Sequence, residues 1–233
     1  MYPLYYVYTF LTRVVLVTLT RWEVTGRDNV PRTGGVILVS NHLNNVDPPI
    51  LSASVPRRIA FMAKEELYYA RNASGFLART FGAFPVRRGE LDRRALKEAL
   101  KVLRQGLILG LFPEGTRSPH GQMQEAQAGT AWIALESGAP ILPVAIWGTE
   151  HIRTPGDVVS RPHIRVNIGK TFALPALSAG KRSSQLEPAT RAIMEAIAAL
   201  LPMEYRGAYA SSYETRPGLP LAAGEPSQTR GDS

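Results

Sequence analysis

Two short apolar runs, Val36-Ile37-Leu38-Val39 and Leu107 to Phe112, each open directly into a polar turn. Continuous apolar runs of this length, bounded by turn residues, read as buried strands. Two such strands ending in polar turns imply a site at one edge of a sheet. The first turn, Asn41-His42-Leu43-Asn44-Asn45-Val46-Asp47, supplies a base and a carboxylate that can orient it. The second, Pro113-Glu114-Gly115-Thr116-Arg117-Ser118, supplies an arginine in a glycine-containing bend. Together they suggest hydroxyl activation on a phosphate-bearing substrate.

The five-residue separation of His42 and Asp47 constrains the local chain. Positions five apart lie about 140° apart around a helix and point to opposite faces of a strand. The two side chains meet only if the chain turns between them, and Asn44-Asn45 suits a turn. Pro48-Pro49 can then open a helix, because proline is tolerated in the first turn. Asp47 would accept a hydrogen bond from one imidazole nitrogen and leave the other free to take a proton. The competing reading of this pair alone is a loop histidine satisfying backbone groups.

Four segments in order make the pattern specific: Asn41-His42 through Asp47, Gly82 through Arg88, Phe112 through Arg117, and Ile141-Leu142-Pro143-Val144-Ala145. This order resembles the 1-acylglycerol-3-phosphate acyltransferase family, with its motifs NHxxxxD, GxxxxxR, FPEGT(R) and a proline-containing strand. The resemblance runs from about Gly26 to Leu200 and rests mainly on the first and third motifs. It implies that His42 is the general base, that Asp47 orients it, and that the acceptor hydroxyl attacks an acyl thioester directly. Arg88 and Arg117 match the family's arginines, expected to grip the acceptor phosphate. Glu114, Gly115 and Thr116 shape the same substrate-binding turn, and Pro143 lies on a strand lining the region. The implied donor is an acyl-CoA or acyl carrier protein thioester, used as co-substrate with no cofactor or metal. The implied acceptor is a lysophospholipid.

Physical chemistry supports these roles independently. Planar guanidinium groups bind two phosphate oxygens at once. Gly115 allows close backbone approach to a ligand. Glu114 beside a phosphate would be repelled, so it is expected to hold Arg117 or another arginine. With neither a cysteine nor a Gly-x-Ser-x-Gly elbow in the chain, there is no evident covalent nucleophile. One departure is that members of the family often carry Phe-Lys-Lys-Gly after the third motif, where this chain reads Ala126-Gln127-Ala128-Gly129. That keeps other acceptors open, glycerol-3-phosphate or a lyso-aminolipid among them. A non-catalytic protein binding anionic lipid is the reading from a different class, and an intact His42–Asp47 pair argues against it.

Charge is unevenly spread along the chain. Residues 1–117 hold 17 Lys/Arg against 9 Asp/Glu, whereas the remainder balances at 10 against 10. The basic half would attract anionic headgroups or phospho-substrates. No zinc pattern or RNA-binding motif is present, so nucleic acid is not the expected partner. His120, His151 and His163 have no ligand spacing and read as loop or strand-edge residues.

Residues 1–20 are apolar and aromatic but interrupted by Arg13. As a helix they gather Thr9, Thr12, Arg13 and Thr20 into one polar stripe. An arginine at a bilayer centre costs roughly 2.5–3.5 kcal/mol, which lying in the interface avoids. The favoured reading is an interfacial anchor; a core helix or strand packed on the domain is the alternative. The expected location is the cytoplasmic face of the cell membrane, with peripheral or monotopic attachment and the lipid surface as a partner.

The remaining periodicity alternates strands and helices, which predicts a single α/β domain. The family resemblance adds a mixed, largely parallel sheet flanked by helices. The clearest helix is Leu91 to Gln105, with Arg93, Arg94, Lys97, Lys101 and Arg104 outward. That face is either solvated or a contact for anionic lipid or an acidic carrier protein. The expected organisation is a membrane segment over 1–20, an acyltransferase domain over 21–202 and a mobile tail over 203–233.

Overall fold

A computed structural model describes residues 2–87, 92–175 and 182–210. Seven strands form one sheet: β1 (Arg21–Thr25), β2 (Val36–Ser40), β3 (Ile59–Lys64), β4 (Phe84–Val86), β5 (Ile108–Leu111), β6 (Ile141–Trp147) and β7 (His163–Ile168). Their order is β1-β7-β6-β2-β5-β3-β4, all neighbours parallel except the antiparallel β6–β7 pair. The mixed, largely parallel sheet expected from the resemblance is therefore present.

Both expected strands are buried throughout, β2 and β5 lying side by side in the middle of the sheet. Alternate residues serve opposite faces. Ile37, Val39, Leu109 and Leu111 pack under α5 (Arg93–Arg104), α6 (Gly129–Ser137) and α7 (Arg182–Ala198). Val36, Leu38 and Ile108 pack under α2 (Asp47–Ser54), with Leu16 of α1 (Tyr2–Leu19) in the same cluster. Each fully buried aliphatic side chain contributes roughly 1.5–3 kcal/mol, so the central strands anchor both layers.

Local sequence explains the helix boundaries. Asp92 caps α5 by accepting from Arg94 N and Ala95 N, and Asn72 caps α4 (Ala73–Thr80) by accepting from Gly75 N. The short α3 (Glu65–Tyr69) ends before that cap, giving the interrupted helices expected between Glu65 and Phe81. Leu91, the expected start of α5, lies outside the described residues.

The N-terminal segment is a helix turned opposite to a soluble amphipathic one. Tyr5, Thr9, Leu16 and Thr20 are buried. Arg13 reaches over the rim to donate from Nε to Ala53 O at 2.7 Å, and Tyr5 Oη accepts from Ile59 N. Thr12 and Thr20 turn their hydroxyls onto the helix's own carbonyls. The outward arc is apolar, with Phe10 64% and Val17 65% exposed alongside Leu4, Val7, Leu11 and Val14. Among the described residues no helix is long and apolar enough to cross a membrane.

The tail does not begin where composition suggested. Residues 203–210 form two 3-10 turns, Met203–Tyr205 and Gly207–Tyr209. Tyr205 O accepts from Met123 N, its hydroxyl donates to Glu150 Oε1 at 2.6 Å, and both Tyr205 and Tyr209 pack on the core. Two aromatic anchors outweigh the polar residues around them. The expected tail from 211 to 233 lies outside the described residues.

Candidate active site

The site lies where three neighbouring parallel strands, β6-β2-β5, end at the same edge. Loops leaving such adjacent strand ends converge, which is where open α/β sheets place their ligand crevices. The loop after β2 carries His42, and the loop after β5 carries Glu114 to Arg117. The turn after β6 carries Thr149.

His42 and Asp47 meet as the turn argument required. The chain doubles back, with Asp47 N donating to Asn44 O, and Asp47 opens α2 followed by Pro48 and Pro49. His42 Nδ1 lies 2.8 Å from Asp47 Oδ2. A carboxylate only accepts, so Nδ1 carries a proton, and in the neutral imidazole Nε2 is then left with the lone pair. The same oxygen accepts from Leu43 N and Asn44 N, both at 2.7 Å, while Oδ1 accepts from Thr149 Oγ1 at 2.7 Å. Asp47 is fully buried, and these donors replace its lost hydration. The His42 side chain retains 11% exposure. The arrangement orients the imidazole through Nδ1 and leaves Nε2 on the side away from Asp47.

Stacking fixes the imidazole plane. The Phe112 ring lies 4.0 Å from it at 18°, and Phe61 stacks behind Phe112 at 5.8 Å and 10°. Gly110 makes room for that row, since a Cβ there would meet the Phe61 ring at 2.5 Å. A glycine inside a strand signals such close approach, but that signal alone did not lead to the stack.

Glu114 is where the expectation fails. It was expected to hold Arg117 or another arginine, and instead its Oε1 accepts from His42 N and its Oε2 from Gln124 N. It is 3% exposed, so it belongs to the scaffold beneath the turn. Burial pushes its carboxyl up to about 7; the two backbone donors oppose that rise and the charge of Asp47 adds to it. Ser118 N in turn donates to His42 O at 2.8 Å. Both backbone groups of His42 are thus held by the loop that follows β5.

Gly115 adopts φ +70, the left-handed region that favours glycine, and Thr116 and Arg117 are exposed beyond it. The Arg117 guanidinium makes no ion pair among the described residues, leaving it available to an anion. Arg88 lies outside the described residues. Pro143 sits within β6, opposite Val39. Sequence reasoning passed over Thr149 and the side chains of Asn41 and Asn44. Asn41 brackets Ile146 through both its N–H and its C=O, and Asn44 Nδ2 donates to Thr149 O and Ile152 O. Among the described residues no group of His, Asp or Glu side chains could hold a metal ion.

Comparison with known proteins gives this geometry a family. The acyltransferase family profile matches residues 21–147, more than half of the chain. The chain belongs to the acyltransferase family. The crystal structure of the 1-acyl-sn-glycerophosphate (LPA) acyltransferase PlsC from Thermotoga maritima superposes with a TM-score of 0.60 at 29% identity, covering 82% of this chain and 78% of that one. The 1-acyl-sn-glycerol-3-phosphate acyltransferase of Borreliella burgdorferi is 33% identical over 130 residues, 55% of this chain and 52% of that protein. That of Streptococcus pneumoniae is 30% identical over 171 residues, 70% of this chain and 61% of that protein. The lyso-ornithine lipid O-acyltransferase of Pseudomonas aeruginosa is 33% identical over 140 residues, 55% of this chain and 53% of that protein. The chain thus spans just over half to about three-fifths of the length of these curated relatives.

Proposed function

We propose that the chain transfers a fatty acyl group from a thioester to the free hydroxyl of 1-acylglycerol-3-phosphate, giving phosphatidic acid at a membrane surface. The observation that carries this reading is the His42 imidazole, bonded through Nδ1 to buried Asp47 and clamped at its backbone by the loop bearing Arg117. Nε2 of His42 takes the acceptor's hydroxyl proton as the oxygen attacks the thioester carbonyl. The tetrahedral intermediate collapses, the C–S bond breaks, and the imidazolium returns its proton to the departing thiolate. Asp47 stabilises the imidazolium in between. Arg117, with Arg88, grips the acceptor phosphate and brings the hydroxyl to the base, converting an encounter into an oriented reaction. The donor is acyl-CoA or an acyl carrier protein.

The apolar arc of α1 seats the enzyme on the lipid surface where its acceptor resides, as a peripheral or monotopic protein on the cytoplasmic face. Burying Phe10, Val17 and their neighbours there supplies the hydrophobic attachment that their exposure otherwise wastes.

A second reading keeps the chemistry and changes the acceptor to a lyso-aminolipid. It is favoured by the similarity to a lyso-ornithine lipid O-acyltransferase and by Gln127-Ala128 standing where lysines are common in the family. The test is a panel assay with labelled acyl thioester, 1-acylglycerol-3-phosphate, glycerol-3-phosphate and lyso-ornithine lipid, run on the wild type and on His42→Ala. The variant should lose at least about a hundredfold in kcat while sedimenting with vesicles as before. Full activity of His42→Ala would remove the base assignment, and preference for lyso-ornithine lipid would select the second reading.

A further inference from the structure

We infer that Thr149 is a positioning residue of this site, acting through Asp47 on His42. The inference rests on the proposed role of His42 as base. It concerns a residue two positions beyond the stretch matched by the family profile.

Asp47 presents two oxygens that are held differently. Oδ2 is fixed by its own loop, through Leu43 N, Asn44 N and His42 Nδ1. For Oδ1, the donor among the described residues is the Thr149 hydroxyl at 2.7 Å, from 102 residues away in sequence. A carboxylate anchored at one oxygen can still rotate about its Cβ–Cγ bond. A donor on the second oxygen fixes the plane, and with it the direction in which Oδ2 faces the imidazole. Thr149 is itself fully buried, so its hydroxyl has no water to turn to.

The turn carrying Thr149 is held in several independent ways. Gly148 takes φ +89 against β7, where a Cβ would meet His163 O at 1.9 Å. Its N–H donates to Glu150 Oε2, and Glu150 Oε1 accepts from the Tyr205 hydroxyl. From the loop after β2, Asn44 Nδ2 binds Thr149 O and Ile152 O, while Asn41 brackets Ile146. Three polar side chains around the base, Asn41, Asn44 and Asp47, therefore bond to one segment after or within β6. A segment registered this firmly against the His42 loop, and ending in a hydroxyl on Asp47, is built to fix the imidazole's partner. General packing would need no hydroxyl there.

The experiment compares full-length wild type with Thr149→Val, Thr149→Ala and Thr149→Ser, using the acceptor selected by the panel assay and an acyl-CoA in mixed micelles. Val keeps the shape and removes the donor; Ala removes both and carries the test if Val misfolds. Ser restores the hydroxyl. The two donorless variants should lose about tenfold in kcat, the size of one hydrogen bond to a charged group. Acceptor KM should stay within about twofold, and Ser should recover kcat to a similar margin. Wild-type kcat in a folded Val or Ala variant would overturn the inference. So would a rise in KM without loss of kcat, or a Ser variant as impaired as Val. Inactive His42→Ala beside fully active Thr149 variants would sink this inference alone, whereas active His42→Ala would sink the base assignment beneath it.

Discussion

Replacing Glu114 by glutamine tests the scaffold beneath the site through its pH dependence. The folded chain holds this carboxyl's proton up to about 7, against an ordinary value of 4.5. Across that window the folded state binds one more proton than the unfolded state, so stability falls as pH rises, by about 1.4 kcal/mol per pH unit. The full contribution is present below the ordinary carboxylate value and is lost as pH climbs through 7. Between pH 5 and pH 8 the wild type should therefore lose about 2–3 kcal/mol from this group. Glu114→Gln has no such proton to lose. Its amide keeps one acceptor for His42 N or Gln124 N and turns an NH2 toward the other, a roughly constant cost of about 1–3 kcal/mol. Urea denaturation in mild detergent at pH 5, 6, 7 and 8 gives the stability difference directly, other titrating groups cancelling. The variant should start less stable than wild type at pH 5 and gain on it by about 2–3 kcal/mol by pH 8. Parallel pH curves for the two proteins would refute the reasoning, because Glu114 would then ionise equally in both states.

Three further outcomes follow from the geometry. Phe10→Glu with Val17→Glu, at the two most exposed apolar positions quoted for α1, should release the protein from anionic vesicles while leaving its circular dichroism unchanged; undiminished co-sedimentation would contradict the membrane seat. Gly110→Ala forces a methyl to within 2.5 Å of the Phe61 ring and should cost about 1–3 kcal/mol, read as a fall in Tm. An unaltered Tm would mean the Phe61–Phe112–His42 row has slack. Arg117→Ala should raise the acceptor KM about tenfold or more for phosphate-bearing acceptors only, and an unchanged KM would dismiss Arg117 as a clamp.

The parts of this molecule that were legible in its sequence are those fixed by local pattern. Val36 to Val39 and Leu107 to Phe112 read as buried strands because apolar runs of that length have few other fates. His42 and Asp47 could meet only across a turn, which Asn44-Asn45 suits, and the family resemblance rather than the spacing paired them. The partners of Glu114 were not legible, because they are backbone N–H groups and every residue has one. Nor was Thr149, a common residue 102 positions from the carboxylate it contacts. Of the stripe of Thr9, Thr12, Arg13 and Thr20, Thr9 and Thr20 are buried while Arg13 stays exposed at its rim; periodicity defines two faces without saying which one meets the domain. At Met203 the polar composition misled, since two tyrosines suffice to hold a short segment down.

Under the proposed membrane seat, the inward turn of that stripe would link the lipid surface to the proposed chemistry. Within α1, Thr12 and Thr20 return their hydroxyls to the helix's own carbonyls, and Arg13 donates across to Ala53 O. Ala53 lies on α2, the helix that Asp47 opens. The helix presenting the apolar arc is thus packed on the same helix that begins with the imidazole's partner. An exposed arc of this kind favours association in water, and seating on lipid is the use the proposed function gives it. For an acceptor whose acyl chain stays in the lipid, the proposed seat would set the distance between surface and base through the α1–α2 pair. Rigid coupling of that sort also predicts that lengthening the α1–β1 connection by a flexible insertion after Thr20 should leave vesicle binding intact and lower turnover on membrane-borne acceptor more than on the same acceptor dispersed in detergent. Equal losses on both would mean that α1 only tethers the domain and does not orient it.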